Sequence, residues 1–264
     1  MRKCLFFVLG CIFGFVLIFS TSGLAEDMIS ITILYDNYDF KEGLKSDWGF
    51  ACLIKGIEKT ILFDTGTKAD VFLHNINALK INPKDVELVV ISHNHGDHTG
   101  GLSRFLDENS RVSVYIPVSF PPGFSGSVQD KGAEVIRVDK PVKICEGVYL
   151  TGEMGVMVKE QSLVLDTDKG SVVITGCAHP GIIDIIKRAK EIVNKDVYLV
   201  LGGFHLINKS ETELQNIMRD FKELGVMMVG ATHCTGDPAI ELFKKAYGEH
   251  FVQMGVGRVI KISE

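Results

Sequence analysis

Ser92-His93-Asn94-His95-Gly96-Asp97-His98 gathers three imidazoles and a carboxylate into one short run, directly after the apolar stretch Val86 to Ile91. It reads as a strand emptying into a loop of metal ligands. His93 and His95 alternate at a spacing that an extended or turning backbone can aim at one cation. Asp97 and His98, a turn further on, point to a second position beside the first. The chain has 8 histidines in 264 residues, so three of them here are hard to explain as caps and solvated turn residues. Imidazole and carboxylate suit Zn²⁺, and Fe or Mn acceptably. The expected cofactor is therefore a pair of divalent metal ions, with zinc first.

The remaining pattern places this loop in a layered α/β chain. Ile31 to Leu34, Ala51 to Ile54, Ile61 to Phe63, Val86 to Ile91, Val112 to Ile116, Val172 to Ile174, Val197 to Leu201 and Val226 to Val229 are short apolar, β-branched runs bounded by Gly, Asp or Asn, the pattern of buried strands. Helical stripes fall between them. Ile182, Ile185, Ile186, Ala189 and Val193 share one face, as do Leu214, Ile217, Met218, Phe221 and Leu224. Ser210 with Glu213 predicts a capping box, and Asp237-Pro238 starts a last helix that Gly248 stops. Pro117 to Asp130, rich in Pro, Gly and Ser, is either a surface loop or a substrate lid. His179, His205 and His233 each follow an apolar run, at C-terminal strand ends where layered α/β folds collect their sites. His74 and His250 have no such context.

The metal loop resembles the signature of the metallo-β-lactamase superfamily, and Leu62-Phe63-Asp64-Thr65-Gly66 is similar to that superfamily's first motif. Tyr35-Asp36-Asn37, Trp48-Gly49-Phe50, Thr175-Gly176-Cys177-Ala178-His179-Pro180-Gly181, Gly202-Gly203-Phe204-His205-Leu206 and Thr232-His233-Cys234-Thr235-Gly236 together resemble its branch labelled dihydropterin-ribofuranosylaminobenzene-phosphate synthase. The resemblance runs from about Ile29 to the C-terminus and implies a four-layer αββα sandwich of two mixed β-sheets flanked by helices. It also implies that Asp64 buttresses the metal loop, that His179 completes a first metal with His93 and His95, and that His233 completes a second with Asp97 and His98. Where many members carry a bridging aspartate, this chain has Cys177, which is either a thiolate ligand or a small core residue. Candidate substrate contacts are Asn37 and Trp48 in these motifs and Phe124 in the Pro117 to Asp130 stretch.

Composition bounds the rest. At 46% hydrophobic and 23% charged residues the chain is an ordinary globular protein with one sizeable core. A net charge of −5 without a basic cluster argues against nucleic acid and for a small-molecule substrate. Arg2-Lys3, the uncharged stretch Cys4 to Ala25 and the small residues before Glu26 read as an exported protein's signal peptide, or as a retained membrane anchor through residues 4–25. The domain division is thus 1–25 leader or anchor and 26–264 metallo-β-lactamase-like domain. The four cysteines beyond the leader, Cys52, Cys145, Cys177 and Cys234, permit disulfides but name no framework.

Two cations side by side would lower the pKa of a shared water from about 16 to about 7 and clamp an ester's oxygens. Asp97 is then the candidate proton acceptor and His205 the candidate donor. No G-x-S-x-G elbow, phosphate-cradling loop or dinucleotide fingerprint gives another enzyme class a footing. The favoured reading is a metal-dependent hydrolase of phosphoesters or lactone-like esters. The alternatives are the pterin synthase of the branch label, whose pathway an exported protein is badly placed to serve, and a non-catalytic binding protein. If export holds, mass spectrometry of the native N-terminus should find a chain starting near Glu26 or held in a membrane. A soluble cytosolic product beginning at Met1 would refute it.

Overall fold

The computed structural model describes residues 28–263, with Met1 apart from them; the expected leader or anchor over residues 1–25 lies outside the described residues. Among the described residues no helix is long and apolar enough to cross a membrane. The strands in chain order are β1 (Met28–Tyr35), β2 (Ala51–Lys55), β3 (Ile61–Phe63), β4 (Leu88–Val90), β5 (Ser113–Pro117), β6 (Glu134–Val138), β7 (Val142–Cys145), β8 (Val148–Leu150), β9 (Leu163–Thr167), β10 (Gly170–Thr175), β11 (Val197–Gly203), β12 (Met228–Thr232) and β13 (Val259–Ser263). They form two mixed sheets, ordered β13-β1-β2-β3-β4-β5-β6 and β12-β11-β10-β9-β8-β7. Helices α1 (Ala69–Ala78), α2 (Gly96–Thr99), α3 (Leu102–Glu108), α4 (Pro122–Asp130), α5 (Ile182–Val193), α6 (Glu211–Glu223) and α7 (Asp237–Tyr247) complete the chain. The architecture is the expected αββα sandwich.

Both faces of each sheet are covered, which is why the strands read as unbroken apolar runs rather than as an alternation with polar residues. Successive side chains still point opposite ways. Leu88 and Val90 enter the layer between the sheets with Ile31, Ile33, Ile174 and Leu201, whereas Val89 turns outward onto Phe72, Phe105 and Leu106 beneath α1 and α3. The outer face of the second sheet packs Val173 and Val200 against Ile185 and Ile186 of α5, Phe221 of α6 and Phe243 of α7.

Topology then sets the site. β3, β4 and β5 run parallel in the first sheet, and β10, β11 and β12 in the second. β1 runs antiparallel to β2, which is antiparallel to β3, so β1 points the same way as β3. The C-terminal ends of these strands therefore open on one edge of the sandwich, with Asp36, Asp64, His93, Cys177, His205 and His233 just beyond them.

Pro117 to Asp130 departs from the loop or lid expected of it. Pro117 ends β5, and α4 begins with Pro at its first turn, a position where the missing N–H costs nothing. Phe120 is buried, and Phe124 on α4 meets it edge to face with ring centroids 4.8 Å apart, packed against the core. Phe124 is thus partly buried by this packing.

The capping box at the start of α6 is present. Ser210 Oγ accepts from the Glu213 N–H, and the Glu213 carboxylate accepts from the Ser210 N–H. Lys209 and these contacts hold the Glu213 carboxyl at about 2, against an ordinary 4.5. A folded-state pKa below the unfolded one contributes stability above about pH 4.5 that disappears as pH falls through 2. Ser210→Ala should lower unfolding free energy by about 1 kcal/mol at pH 7, measured by urea titration, and by less near pH 2. An equal loss at both pH values would remove the Glu213 half of the box.

Candidate metal centre

Four loops converge on the open edge of the sandwich. The turn after β4 carries His93, His95, Asp97 and His98; the turns after β10, β11 and β12 carry His179 with Cys177, His205, and His233 with Cys234. Their donor atoms form three groups, each with members within 4.8 Å of one another: His93, His95 and His179; Asp97, His98, Cys177 and His233; and Cys177, His205 and Cys234. The ring contacts are close, with His93 and His179 centroids 4.7 Å apart and His98 and His233 5.2 Å apart.

Three of the imidazoles, those of His93, His98 and His233, are held from behind. Ser92 Oγ donates to Asp64 Oδ2 at 2.7 Å, so it can only accept from His93 Nδ1 at 2.9 Å, which leaves the His93 Nε2 lone pair facing the site. His98 Nδ1 donates to Asp64 Oδ2 at 2.7 Å, and the Ser92 N–H donates to Asp64 Oδ1. His233 Nδ1 donates to Asn37 Oδ1 at 2.9 Å, which also accepts from the Gly49 N–H. The Asn37 carbonyl oxygen thus orients His233 from the edge of the site. Outer-nitrogen anchoring of this kind fixes tautomer and ring direction in metal-binding histidines. Trp48 Nε1 donates to Asp97 Oδ2 at 2.8 Å, and the indole lies 4.8 Å from the His233 ring with nearly half its surface exposed. Trp48 thus stands at the rim, where substrate contact is open to it.

Glu160 was not distinguished in the sequence, yet it organises the second half of the site. Fully buried, its Oε1 accepts from the Gly176, Cys177 and Ala178 N–H groups and its Oε2 from that of His179. It also lies 4.0 Å from His93 Nδ1, so it joins loops from the two sheets. Gly176 is needed beside it, because a Cβ there would collide with Ser92 Oγ. Across the sheets, Thr232 Oγ1 donates to the buried Asp36 carboxylate at 2.7 Å.

The electrostatics leave most donors ready for a cation. Burial and the neighbouring His98 and His179 rings hold His93 far below the ordinary imidazole range. Burial, with the His205 and His95 rings, lowers His179 to about 4. Burial raises Asp97, but His233 and His98 outweigh it and hold the carboxyl below its usual range. His98 is the exception: burial opposes its charge, but Asp64 prevails and the ring titrates at about 9. Burial likewise pushes Glu160 up to about 7 against the backbone N–H groups that it accepts.

These residues fit divalent metal. Among the described residues, the buried Nε2 of His179 makes no hydrogen bond, a cost of about 1–3 kcal/mol that coordination would remove, and His233 Nε2 faces only the Asp97 carboxylate, at 3.3 Å. The backbone is also strained toward this edge. Among the described residues six non-glycine residues have positive φ, and Asp64, Ala178, His205 and His233 are four of them. Left-handed backbone in such residues costs on the order of 1 kcal/mol each and concentrates at functional sites. The four cysteines of the described residues are free, Cys52 and Cys177 among the buried ones.

Comparison with known proteins agrees with the geometry. The sequence profile described as the metallo-beta-lactamase superfamily matches residues 49–215. A protein of Methanocaldococcus jannaschii named 7,8-dihydropterin-6-methyl-4-(beta-D-ribofuranosyl)-aminobenzene-5'-phosphate synthase is 31% identical over 286 aligned positions, which span 89% of this chain and 97% of that one. The crystal structure of Tm1679, described as a metal-dependent hydrolase of the beta-lactamase superfamily, superposes with a TM-score of 0.75 at 30% identity, covering 89% of this chain and all of the other. The metallo-beta-lactamase fold protein YhfI of Bacillus subtilis, at 15% identity and a TM-score of 0.66, shares the fold, with 89% and 99% of the two chains covered.

Glu160→Gln tests the buried carboxylate. The amide keeps the shape but turns an N–H₂ group toward N–H donors. Stability should fall by about 1–3 kcal/mol, and metal affinity, read by chelator competition, by roughly 10- to 100-fold. No change in either would remove Glu160 from the support of the site.

Proposed function

Because the chain belongs to the metallo-β-lactamase superfamily, we propose that it is a metal-dependent hydrolase of a small phosphoester or lactone-like ester. His93, His95 and His179 hold one divalent cation, and Asp97, His98, His233 and Cys177 hold a second, zinc being the first choice for this donor set. The observation that carries the reading is the pair of adjacent donor groups, with the outer nitrogens of His93, His98 and His233 anchored and the inner Nε2 of His179 buried without a partner. Bound there, the cations would polarise the ester oxygens and bring the pKa of a water molecule down to about 7.

The chain's own residues do the rest. Asp97 stays ionised and is held at Oδ2 by the Trp48 indole, which presents a carboxylate to a proton released at the site. Asn37 and Asp64 keep His233 and His98 aimed inward. His205 is exposed with its ring 4.3 Å from that of His179, within reach of a leaving group at the mouth of the site. The exposed Trp48 ring offers an apolar surface to the substrate beside it. The reading includes export, on the strength of the N-terminal pattern, and a small molecule as partner, on the strength of the acidic charge balance.

A second reading is favoured by the M. jannaschii relative, which matches nearly end to end and is named a synthase. In that case the same edge would join two fragments, a pterin and an aminobenzene ribofuranosyl phosphate.

One experiment separates them. Purified protein is stripped with a chelator, reloaded with zinc or manganese, and assayed on phosphodiesters, phosphomonoesters, lactones and the pterin-joining reaction. The expected result is ester hydrolysis that is lost on stripping and restored on reloading, with Asp97→Asn slower by about a hundredfold or more. Joining without ester hydrolysis would select the synthase. Tight binding of small ligands with no turnover would select a binding protein.

A further inference from the structure

The third donor group lies beside the proposed pair of metal positions, and the hydrolase reading uses of it only the shared Cys177 and, as a proton donor, His205; Cys234 has no part there. Cys177 Sγ, Cys234 Sγ and a ring nitrogen of His205 lie within 4.8 Å of one another. Both sulfurs are buried, at 3% exposure for each residue, while His205 faces solvent. Two thiols and an imidazole from three different strand ends do not meet through local sequence. They are brought there by the exits of β10, β11 and β12, where the backbone takes uncommon conformations. His205 is left-handed, at φ 53°, and so is His233 just before Cys234, at φ 52°. Gly203 gives the Cys234 sulfur its room: a Cβ on it would lie 2.7 Å from Sγ. Cys234 Sγ also reaches the Cys177 carbonyl at 3.6 Å, which holds it against the Cys177 turn.

We infer that Cys177, His205 and Cys234 form a third cation site, for a thiophilic ion such as Zn²⁺ or Cd²⁺, which shares the Cys177 sulfur with the Asp97 group. The donor chemistry selects the ion. Thiolate and imidazole together favour zinc-like and softer ions over Mg²⁺, Ca²⁺ or Mn²⁺. Ligands about 2.0 Å (nitrogen) and 2.3 Å (sulfur) from zinc sit less than 4 Å apart in a tetrahedron, so donors already within 4.8 Å need only small inward shifts. Three protein ligands leave a fourth place open, and the exposure of His205 puts that place on the solvent side. Thiolate is the binding form of each sulfur, so metal competes with protons here and occupancy rises with pH. One sulfur common to two groups also means that filling one position bears on the other.

The test is metal stoichiometry with Co²⁺, whose bonds to thiolate absorb in the near ultraviolet. Apo full-length protein is titrated under reducing conditions, and bound metal is counted by elemental analysis. The parent should hold three equivalents. Cys234→Ala and His205→Ala should each hold two and lose about two thirds of the thiolate-to-cobalt absorption, because both Co–S bonds of the third position, two of three in all, go with its ion. Two retained equivalents and an unchanged circular dichroism spectrum show that a variant is folded. If Cys234→Ala does not fold, the exposed His205→Ala decides alone. Two equivalents in the parent, or equal stoichiometry and absorption in parent and variants, would overturn the site. So would finding Cys177 and Cys234 joined as a disulfide in native protein by mass analysis after alkylation.

Discussion

The carboxylate of Asp64 fixes the position of the site. It stands fully buried at the end of β3 and accepts from the Ser92 N–H, the Ser92 hydroxyl and His98 Nδ1. One side chain thereby settles the path of the chain leaving β4, the tautomer of His93 through Ser92, and the direction of His98. A buried carboxylate is tolerated only where its lone pairs are satisfied. The same donors that satisfy Asp64 are the ones that aim the ligands. Glu160 repeats the arrangement for the opposite sheet with four backbone N–H groups, and Asp36 takes the Thr232 hydroxyl across the two sheets. Three buried acids thus carry the convergence of the loops.

Much of this was legible in the sequence, for a physical reason. Strands buried on both faces must be apolar throughout, so β1 to β5 and β10 to β12 announce themselves as β-branched runs, and the histidines beyond their ends mark one edge. β6 and β7 did not, because Glu134, Arg137, Val142 and Lys143 lie exposed toward the outer ends of their sheets, and charge interrupts the apolar signal. α4 reads as a loop because Pro121, Pro122, Gly123 and Gly126 are poor helix formers. What decides in its favour is tertiary packing, through Phe120, Phe124 and Val128. Glu160 and Cys234 escape for a different reason. Their neighbours in space are far away in sequence, and no local pattern distinguishes an acid that will accept four N–H groups from an acid in a loop. Asn37 was found in a motif, but its hold on His233 was not legible there, because the two are 196 positions apart in the chain.

The arrangement also explains why the site sits on an edge that is costly to build. Imidazoles, thiols and carboxylates packed within hydrogen-bond reach depress or raise one another's protonation, and left-handed backbone adds its own cost. A scaffold of two fully covered sheets provides the stability that offsets these terms.

The ligands of each proposed metal come from both sheets. His93, His95, Asp97 and His98 leave the first; His179, Cys177 and His233 leave the second. An ion held by such a set is a clasp between the two halves of the sandwich, in a chain whose described cysteines form no disulfide. Any agent that binds the folded state alone adds stability in proportion to the logarithm of its free concentration over its dissociation constant. Resistance to unfolding and readiness for chemistry would then rise and fall together with the supply of metal in the compartment where the protein works.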